Sequence, residues 1–280
     1  MPGTLFVVAT PIGNLEDITL RALRVLREVQ VIAAEDTRRT ARLLARHAIS
    51  TPTVSFHEHN TRTRLPQLIG RLERGDSVAL VTDAGTPGIS DPGTELVRAC
   101  IEAGIGVDPI PGVSAPLAAA VASGFPLVPL TILGFPPHRL KDRTDWFKSL
   151  SEIDGTVTFF EAPHRIAETL RVGANILVNR PIMIARELTK LHQQFLHGTA
   201  GEIAAQLAPS PRGEFTVIVG PSTNILVPLS RPSDEGIASE FGLITESGAL
   251  TRRAAVSETA RRLGLPARDV YAAIERVKNR

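Results

Sequence analysis

Four consecutive apolar residues, Val78-Ala79-Leu80-Val81, lead through Thr82 into Asp83 and a loop that carries Gly85, Pro87, Gly88, Pro92 and Gly93. An apolar run this short, bounded by turn formers, reads as a buried strand. In open α/β sheets ligands bind just beyond the carboxyl ends of the strands. A polar residue at that place, followed by glycines, lets a ligand lie against exposed backbone amides and carbonyls. The competing reading is a long surface loop whose glycines and prolines only turn the chain. The rest of the chain decides between them.

The same pattern recurs along the first 123 residues. Thr4 to Ala9 is a first strand, and it ends in Thr10-Pro11-Ile12-Gly13-Asn14. Leu20, Leu23, Val25, Leu26 and Val29 follow at helical spacing, with Thr19 or Asp17 as N-cap. Val29 to Ala34 is a second strand and runs directly into the charged cluster Glu35-Asp36-Thr37-Arg38-Arg39. Carboxylates beside arginines can be a solvated face or a structural ion pair, but a strand's carboxyl end suits a pocket role equally well. A helix over 40–47, a short strand over 53–56 and an amphipathic helix over 65–74 come next. His57-Glu58-His59 has the spacing of a metal-ligand pair, yet no partner cluster follows it, so a polar rim of the same cleft is preferred and no metal is expected. After a helix over 95–103 and a strand over 107–110, Pro111-Gly112-Val113-Ser114-Ala115-Pro116 opens a small-residue helix to Ser123, whose first amides a ligand can reach.

Four domain segments are expected: an α/β domain over 1–123, a linker over 124–137, a second α/β domain over 138–230 and a basic appendage over 231–280. In the second domain, strands over 156–160, 181–185 and 215–219 each have charge at one end, in Glu161 to Arg165, Arg186 to Lys190 and Arg212-Gly213-Glu214. Residues 251–280 carry eight basic and three acidic residues. Their apolar positions, Ala255, Val256 and Ala260, then Val270, Ala273, Ile274 and Val277, predict two helices around a turn at 263–266. Such a helix-turn-helix suits contact with nucleic acid, or packing with its arginines on the wet side.

Composition narrows the class. With 280 residues, 43% hydrophobic and 21% charged, the chain has the make-up of an ordinary globular protein of two domains with a small appendage. The single cysteine, Cys100, allows no internal disulfide framework. No segment reaches eighteen uninterrupted apolar residues, and the N-terminal run is too short for a signal core, so a cytoplasmic protein without a membrane partner is expected. The net charge of +2 demands no nucleic-acid partner, although 27 arginines against four lysines suit phosphate recognition. No phosphate loop, dinucleotide-binding glycine fingerprint or nucleophile elbow is present. What remains is a site for group transfer by an activated cofactor, in which positioning does most of the catalysis.

Seven segments in order, ATPIGNL at 9–15, AAEDTRRT at 33–40, TDAGTPGISDPG at 82–93, IPGVSA at 110–115, FFEAPHR at 159–165, ARELTK at 185–190 and RGEF at 212–215, resemble one family closely. The chain is similar to the ribosomal RNA small subunit methyltransferase I branch of the tetrapyrrole methylase superfamily. The resemblance covers nearly the whole chain, the C-terminal helices included. It implies the two-domain tetrapyrrole-methylase-like α/β fold (a class III methyltransferase) with a small all-α helix-turn-helix. It also implies S-adenosylmethionine as donor, a homodimer, and 2′-O-methylation of a cytidine in the decoding region of 16S rRNA in the 30S subunit. By the same resemblance Pro11, Asp83, Thr86, Ser114, Ala115, Phe160, Glu161, Ala185 and Phe215 belong to the cofactor site.

For the acceptor, a base must take the proton from the ribose hydroxyl. Glu35, Asp36, Glu161 and Glu187 are candidates, with Lys190 if its surroundings lower its pKa. Arg38, Arg165 and Arg186 are expected to hold phosphates beside the target, and Arg252, Arg253, Arg261 and Arg262 to anchor RNA from the appendage. Two rival functions stay open: methylation of a small acceptor such as a tetrapyrrole, and a non-catalytic RNA-binding ribosome assembly factor.

Overall fold

The computed structural model describes residues 1–89, 93–208, 210–222, 233–246, 251–263 and 265–278. They fall into two compact units, residues 1–220 and 221–280. Ser90, Asp91 and Pro92 of the loop after Val81, and Gly264 of the expected turn, lie outside the described residues. The expected boundary at 230/231 lies outside them as well.

The first half of the larger unit alternates β1 (Thr4–Val8), α1 (Leu20–Glu28), β2 (Val31–Ala34), α2 (Thr37–Arg46), β3 (Thr53–Ser55), α3 (Thr61–Glu73), β4 (Val78–Val81), α4 (Thr94–Glu102) and β5 (Gly106–Ile110). The strands lie in the order β3-β2-β4-β1-β5 and every pair is parallel. Helices cover both faces, which is why β2 and β4 are apolar at every position rather than at alternate ones. Ile32 and Ala34 pack with α1 and α2, whereas Val31 and Ala33 pack with α3 and α4. Caps fix where the helices begin. The Thr19 hydroxyl accepts from the Ala22 amide at 3.1 Å to start α1, and the Asp36 carboxylate accepts from the Arg38 amide at 2.8 Å to start α2.

The second half comprises α5 (Ala115–Ala122), β6 (Leu130–Ile132), α6 (Leu140–Ser151), β7 (Thr156–Glu161), α7 (Ile166–Ala174), β8 (Ile182–Arg186), β9 (Gln194–Gly198), α8 (Ala200–Gln206) and β10 (Phe215–Val219). Its sheet runs β6-β7-β10-β8-β9, parallel only between β6 and β7. The segment expected as a linker thus supplies an edge strand, β6, and α6 and β9 add elements that periodicity did not reveal. Phe147, Phe159, Leu170, Ile184, Ile203 and Val217 fill the core between this sheet and α6, α7 and α8. Full burial of such a side chain contributes about 1.5–3 kcal/mol. On the other face Ala119 and Ala120 of α5 pack against Met183, Ala185 and Ile218. An element that follows the first sheet in sequence therefore belongs to the core of the second.

The smaller unit is not a two-helix module. It holds α9 (Asp234–Glu246), α10 (Arg252–Leu263) and α11 (Ala267–Lys278), packed around Ile237, Val256, Val270, Ala273 and Ile274. Two short helices have little apolar face to share, and α9 supplies the third wall of the core. No described helix is long and apolar enough to cross a membrane.

Candidate active site: two adjoining clefts

The loops after β1, β4 and β5 converge with one edge of the second sheet. Thr10 and Gly85 form a backbone bridge, with N–H···O distances of 2.8 and 2.9 Å, and Gly85 holds φ at +81°. That conformation favours glycine. The Thr86 hydroxyl donates to the Val113 carbonyl at 3.1 Å, tying the β4 loop to the turn before α5.

A cleft of about 350 Å³ opens here, walled by Ile12, Gly85, Thr86, Ser114, Ala115 and the aromatic rings of Phe135, Phe160 and Phe215. Phe135 and Phe160 stack with centroids 5.4 Å apart. The Ser114 hydroxyl is buried without a hydrogen-bond partner and caps nothing, although it precedes the first turn of α5. A buried polar atom without a partner is costly and marks a place for one. Carboxylate residues are among the lining, in Glu161 and Glu214, but no lysine or arginine is.

A second cleft of about 360 Å³ adjoins the first, and Ile12, Ala84 and Glu214 line both. Its other walls bring in polar and charged side chains that the first cleft lacks, Thr10, Arg39, Arg42, Asp83 and Lys190, beside the apolar Pro11, Leu15 and Leu43. The Arg39 guanidinium donates to Asp83 at 2.9 Å, and the Asp36 amide donates to the other Asp83 oxygen at 3.1 Å. The Asp83 amide in turn donates to Glu35 at 3.2 Å. Burial pushes the Glu35 carboxyl above its ordinary pKa, and the bond from the Asp83 amide offsets this only in part. Asp36 is held far below the usual carboxylate range by its bonds from Arg38.

Lys190 donates to Glu187 at 3.0 Å and to Glu214 at 2.9 Å. Burial works against its charge, but the two carboxylates outweigh it and the ammonium pKa is raised. Burial likewise works against the Glu187 charge, yet the Glu214 amide and Lys190 bring its pKa below the ordinary value. The turn that carries this group is strained, with φ of +52° at Glu187 and +66° at Thr189. The Thr189 hydroxyl accepts from the Asn14 amide at 3.1 Å and so joins the β8 turn to the β1 loop.

Residues 4–204 match the family model for Tetrapyrrole (Corrin/Porphyrin) Methylases. The chain belongs to the tetrapyrrole methylase family. Relatives that carry the name Ribosomal RNA small subunit methyltransferase I include one from Synechocystis, 43% identical over 273 residues and covering 96% of each chain. One from Bacillus subtilis is 41% identical, covering 96% of this chain and 93% of its own. One from Thermotoga maritima is 47% identical over 218 residues, which are 78% of this chain and 98% of that relative. Among solved structures, a cobalt precorrin-4 methyltransferase has a TM-score of 0.58 at 17% identity, covering 78% of this chain and 94% of its own. A uroporphyrin-III C-methyl transferase from Thermus thermophilus, complexed with S-adenyl homocysteine, has 0.53 at 20%, covering 78% and 97%. These two share the fold.

Within this family fold the expected site residues separate into groups. Thr86, Ser114, Ala115, Phe160 and Phe215 line the apolar cleft, whereas Pro11 and Asp83 line the polar one. Ala185 lines neither, being buried in β8 against α5. Glu161 borders the apolar cleft, but its buried carboxylate accepts from Thr169 at 2.6 Å and from the Ala162 amide at 2.8 Å, with Arg165 at 3.5 Å. Those donors leave it no role as a base. Arg165 is itself buried and donates to the carbonyls of Pro136 and Pro137 at 2.8 and 2.9 Å. It holds the loop that carries Phe135 and cannot reach a phosphate.

Of the five residues considered as proton acceptors, Glu35, Asp36 and Glu187 line neither cleft, Glu161 borders the apolar one, and Lys190 lines the polar one. It does not meet the condition of a lowered pKa. Asp36 is a helix cap, and Glu35 lies behind Asp83. Arg38 is exposed on α2, and Arg186 donates to the Arg212 carbonyl at 2.7 Å while lying over the Phe215 ring. In the smaller unit Arg252 pairs with Glu275, and Arg262 pairs with Glu240 and Glu258. Arg253 is exposed, and the Arg261 side chain lies outside the described ones. His57 and His59 lie edge to face, and among the described residues no group of three His, Cys, Asp or Glu could hold a metal ion.

Sequence reasoning missed Ile12, Phe135, Arg39, Arg42 and Glu214. The signal for Glu214 was present in RGEF, at the start of a strand rather than its end. β10 runs antiparallel to β7 and β8, so Phe215 pairs with Glu161 and Arg186, and its amino end shares their carboxyl edge.

Proposed function

We propose that this chain transfers a methyl group from S-adenosylmethionine to the 2′-hydroxyl of a cytidine in the decoding region of 16S rRNA, acting on the small ribosomal subunit. One observation carries the reading: an apolar cleft and a polar, basic cleft meet at Glu214. A flat heterocycle and a cationic sulfonium fit the first, with its three phenylalanines, its carboxylates, its lack of basic residues and the unpartnered Ser114 hydroxyl. Thr86, Ala115 and the backbone about Gly85 would hold the remainder of the cofactor. When bound, S-adenosylmethionine supplies an electrophilic methyl group that a hydroxyl oxygen accepts without further activation.

The residues of the chain supply alignment and the proton acceptor. Glu214 is well placed to receive the hydroxyl proton, because it lines both clefts and its side chain is 65% exposed. Glu187 keeps Lys190 protonated and in place, and Lys190 in turn orients Glu214 or holds a phosphate oxygen. Glu187 and Glu35 are then positioning residues rather than bases. Loss of a general base costs about 10²–10⁴ in rate, so Glu214→Gln should lower single-turnover transfer by about 10²-fold with cofactor affinity unchanged. Glu187→Gln should lower it less. Undiminished transfer in Glu214→Gln removes that assignment.

Arg38, Arg186 and Arg253 are proposed to contact RNA. A homodimer is proposed as well, since α5 exposes Leu117 at 52% and Val121 at 71%, an apolar pair that a second copy would cover. A cytoplasmic location goes with a ribosomal substrate. The decisive experiment is transfer of labelled methyl to 30S subunits that lack the modification, followed by nuclease mapping and mass spectrometry. Label on a cytidine ribose of 16S rRNA supports the reading. Tight cofactor binding without RNA label would replace it with a small-molecule acceptor, and neither binding nor transfer would leave an assembly factor.

A further inference from the structure

Helix α2 begins at the polar cleft and leads away from it. Its buried side is Thr40, Leu43 and Leu44, which fixes Arg38, Arg42 and Arg46 on the opposite side at intervals of four residues. Four residues of α-helix rise about 6 Å, so the three guanidinium groups follow the helix over about 12 Å. Arg39 stands beside them at the cleft mouth, 58% exposed and joined to Asp83. No acidic residue occurs within Thr37–Arg46. Among the described residues Arg42 and Arg46 have no ion pair, and Arg38, 90% exposed, pairs only with Asp36 at the start of the helix.

Such a row is out of place as structural electrostatics. Cations at the first turn of a helix oppose its dipole, and arginines spaced by four repel one another. Guanidinium groups do match phosphate oxygens in geometry and charge. The step of about 6 Å is of the order of the step between successive phosphates of an extended strand.

The smaller unit is a weaker candidate for the same work. Arg252, Arg262 and Arg276 are joined to Glu275, Glu240 and Asp234, contacts that hold its three helices to one another, and Arg262 also pairs with Glu258 of its own helix. The Thermotoga maritima relative points the same way. Its 218 aligned residues are 98% of its length, which leaves no room for two α/β halves and a further unit like 221–280.

We infer that the exposed side of α2, from Arg38 through Arg42 to Arg46, is a track for the sugar-phosphate backbone of the RNA flanking the reacting nucleotide. The inference rests on the rRNA reading above and adds the path by which the strand leaves the acceptor cleft. The contact is with phosphates and carries no base sequence. It sets affinity and orientation, while the cleft sets the chemistry.

The test compares the full chain with a triple variant, Arg38→Gln, Arg42→Gln and Arg46→Gln, in binding to 30S subunits that lack the modification, across a salt series. Single-stranded contacts contribute about 0.7 to the slope of log affinity against log salt for each phosphate neutralised. The triple variant should therefore lose about 2 from that slope and bind about 10–100-fold more weakly near 0.1 M salt. Its affinity for S-adenosylmethionine and its melting temperature should stay at the parent values. Lysine at the same three positions should restore most of the slope.

A second variant, Arg252→Gln, Arg253→Gln and Arg262→Gln, should change the slope by less than about 1. Parent-like slope and affinity in the α2 variant, or a larger loss in the α10 variant, would overturn the inference while leaving the rRNA reading intact. A parent protein that neither binds nor methylates the subunit would overturn the rRNA reading itself, and the inference with it.

Discussion

A Cβ atom on Gly213 would fall 2.5 Å from Cγ of Glu187, at a residue whose φ is +96°. Glycine is required there twice over, for backbone and for space. Gly213→Ala should cost about 1–3 kcal/mol in denaturant unfolding and displace Glu187 from Lys190, so methyl transfer should fall further than cofactor affinity. Glu35 makes a different prediction. Its pKa is raised on folding, so the folded chain binds its proton more tightly than the unfolded one. The stability it contributes is complete below the unfolded pKa and is lost as pH rises through the higher folded value. Glu35→Gln should accordingly melt higher than the parent at about pH 8, with the gap closing toward about pH 4. At this scale the sequence marked Glu35, Asp36 and Lys190 as members of the cluster through their places beside strands. Their states were not legible, because those are set by Asp83, Arg38 and Glu214, which arrive from elsewhere in the chain or from an unforeseen helix cap.

Arg180 precedes β8 and donates to four backbone carbonyls, those of Leu150, Ile153, Gly155 and Gly220, at 2.8–3.2 Å. A single buried cation thus ties the end of α6, the approach to β7 and the end of β10. Arg180→Leu would strand those acceptors, and the expected loss is about 3–5 kcal/mol by denaturant unfolding. Nothing local to Asn179-Arg180-Pro181 announces this, since all four acceptors are distant in sequence. The parallel half was the more legible. Its central strands β2 and β4 are buried on both faces and read as continuous apolar runs, and the ends of β1, β4 and β5 coincide with the loops that form the clefts. In the antiparallel half β9 has exposed residues at Gln194, Phe195 and His197, so its period is weak. There the rule that sites lie at carboxyl ends also passed over Glu214.

Each of the two units has a core of its own, so removal of residues 221–280 should leave S-adenosylmethionine affinity within about twofold by calorimetry. It should weaken binding to the 30S subunit by less than the α2 variant does. Equal loss of both affinities would make the smaller unit a structural support. The proposed homodimer is testable by light scattering, where Leu117→Asp with Val121→Asp should halve the mass. The place of α5 bears on turnover. Its first turn lines the apolar cleft while Ala119 and Ala120 are locked against Met183, Ala185 and Ile218. That wall of the cleft is therefore anchored to the second sheet, although it follows the first in sequence. Phe135 lines the same cleft and stands 55% exposed on the loop held by Arg165, so a ligand that enters or leaves is expected to pass that ring. The pace of exchange should then respond to a substitution of that ring or of its anchor, Arg165.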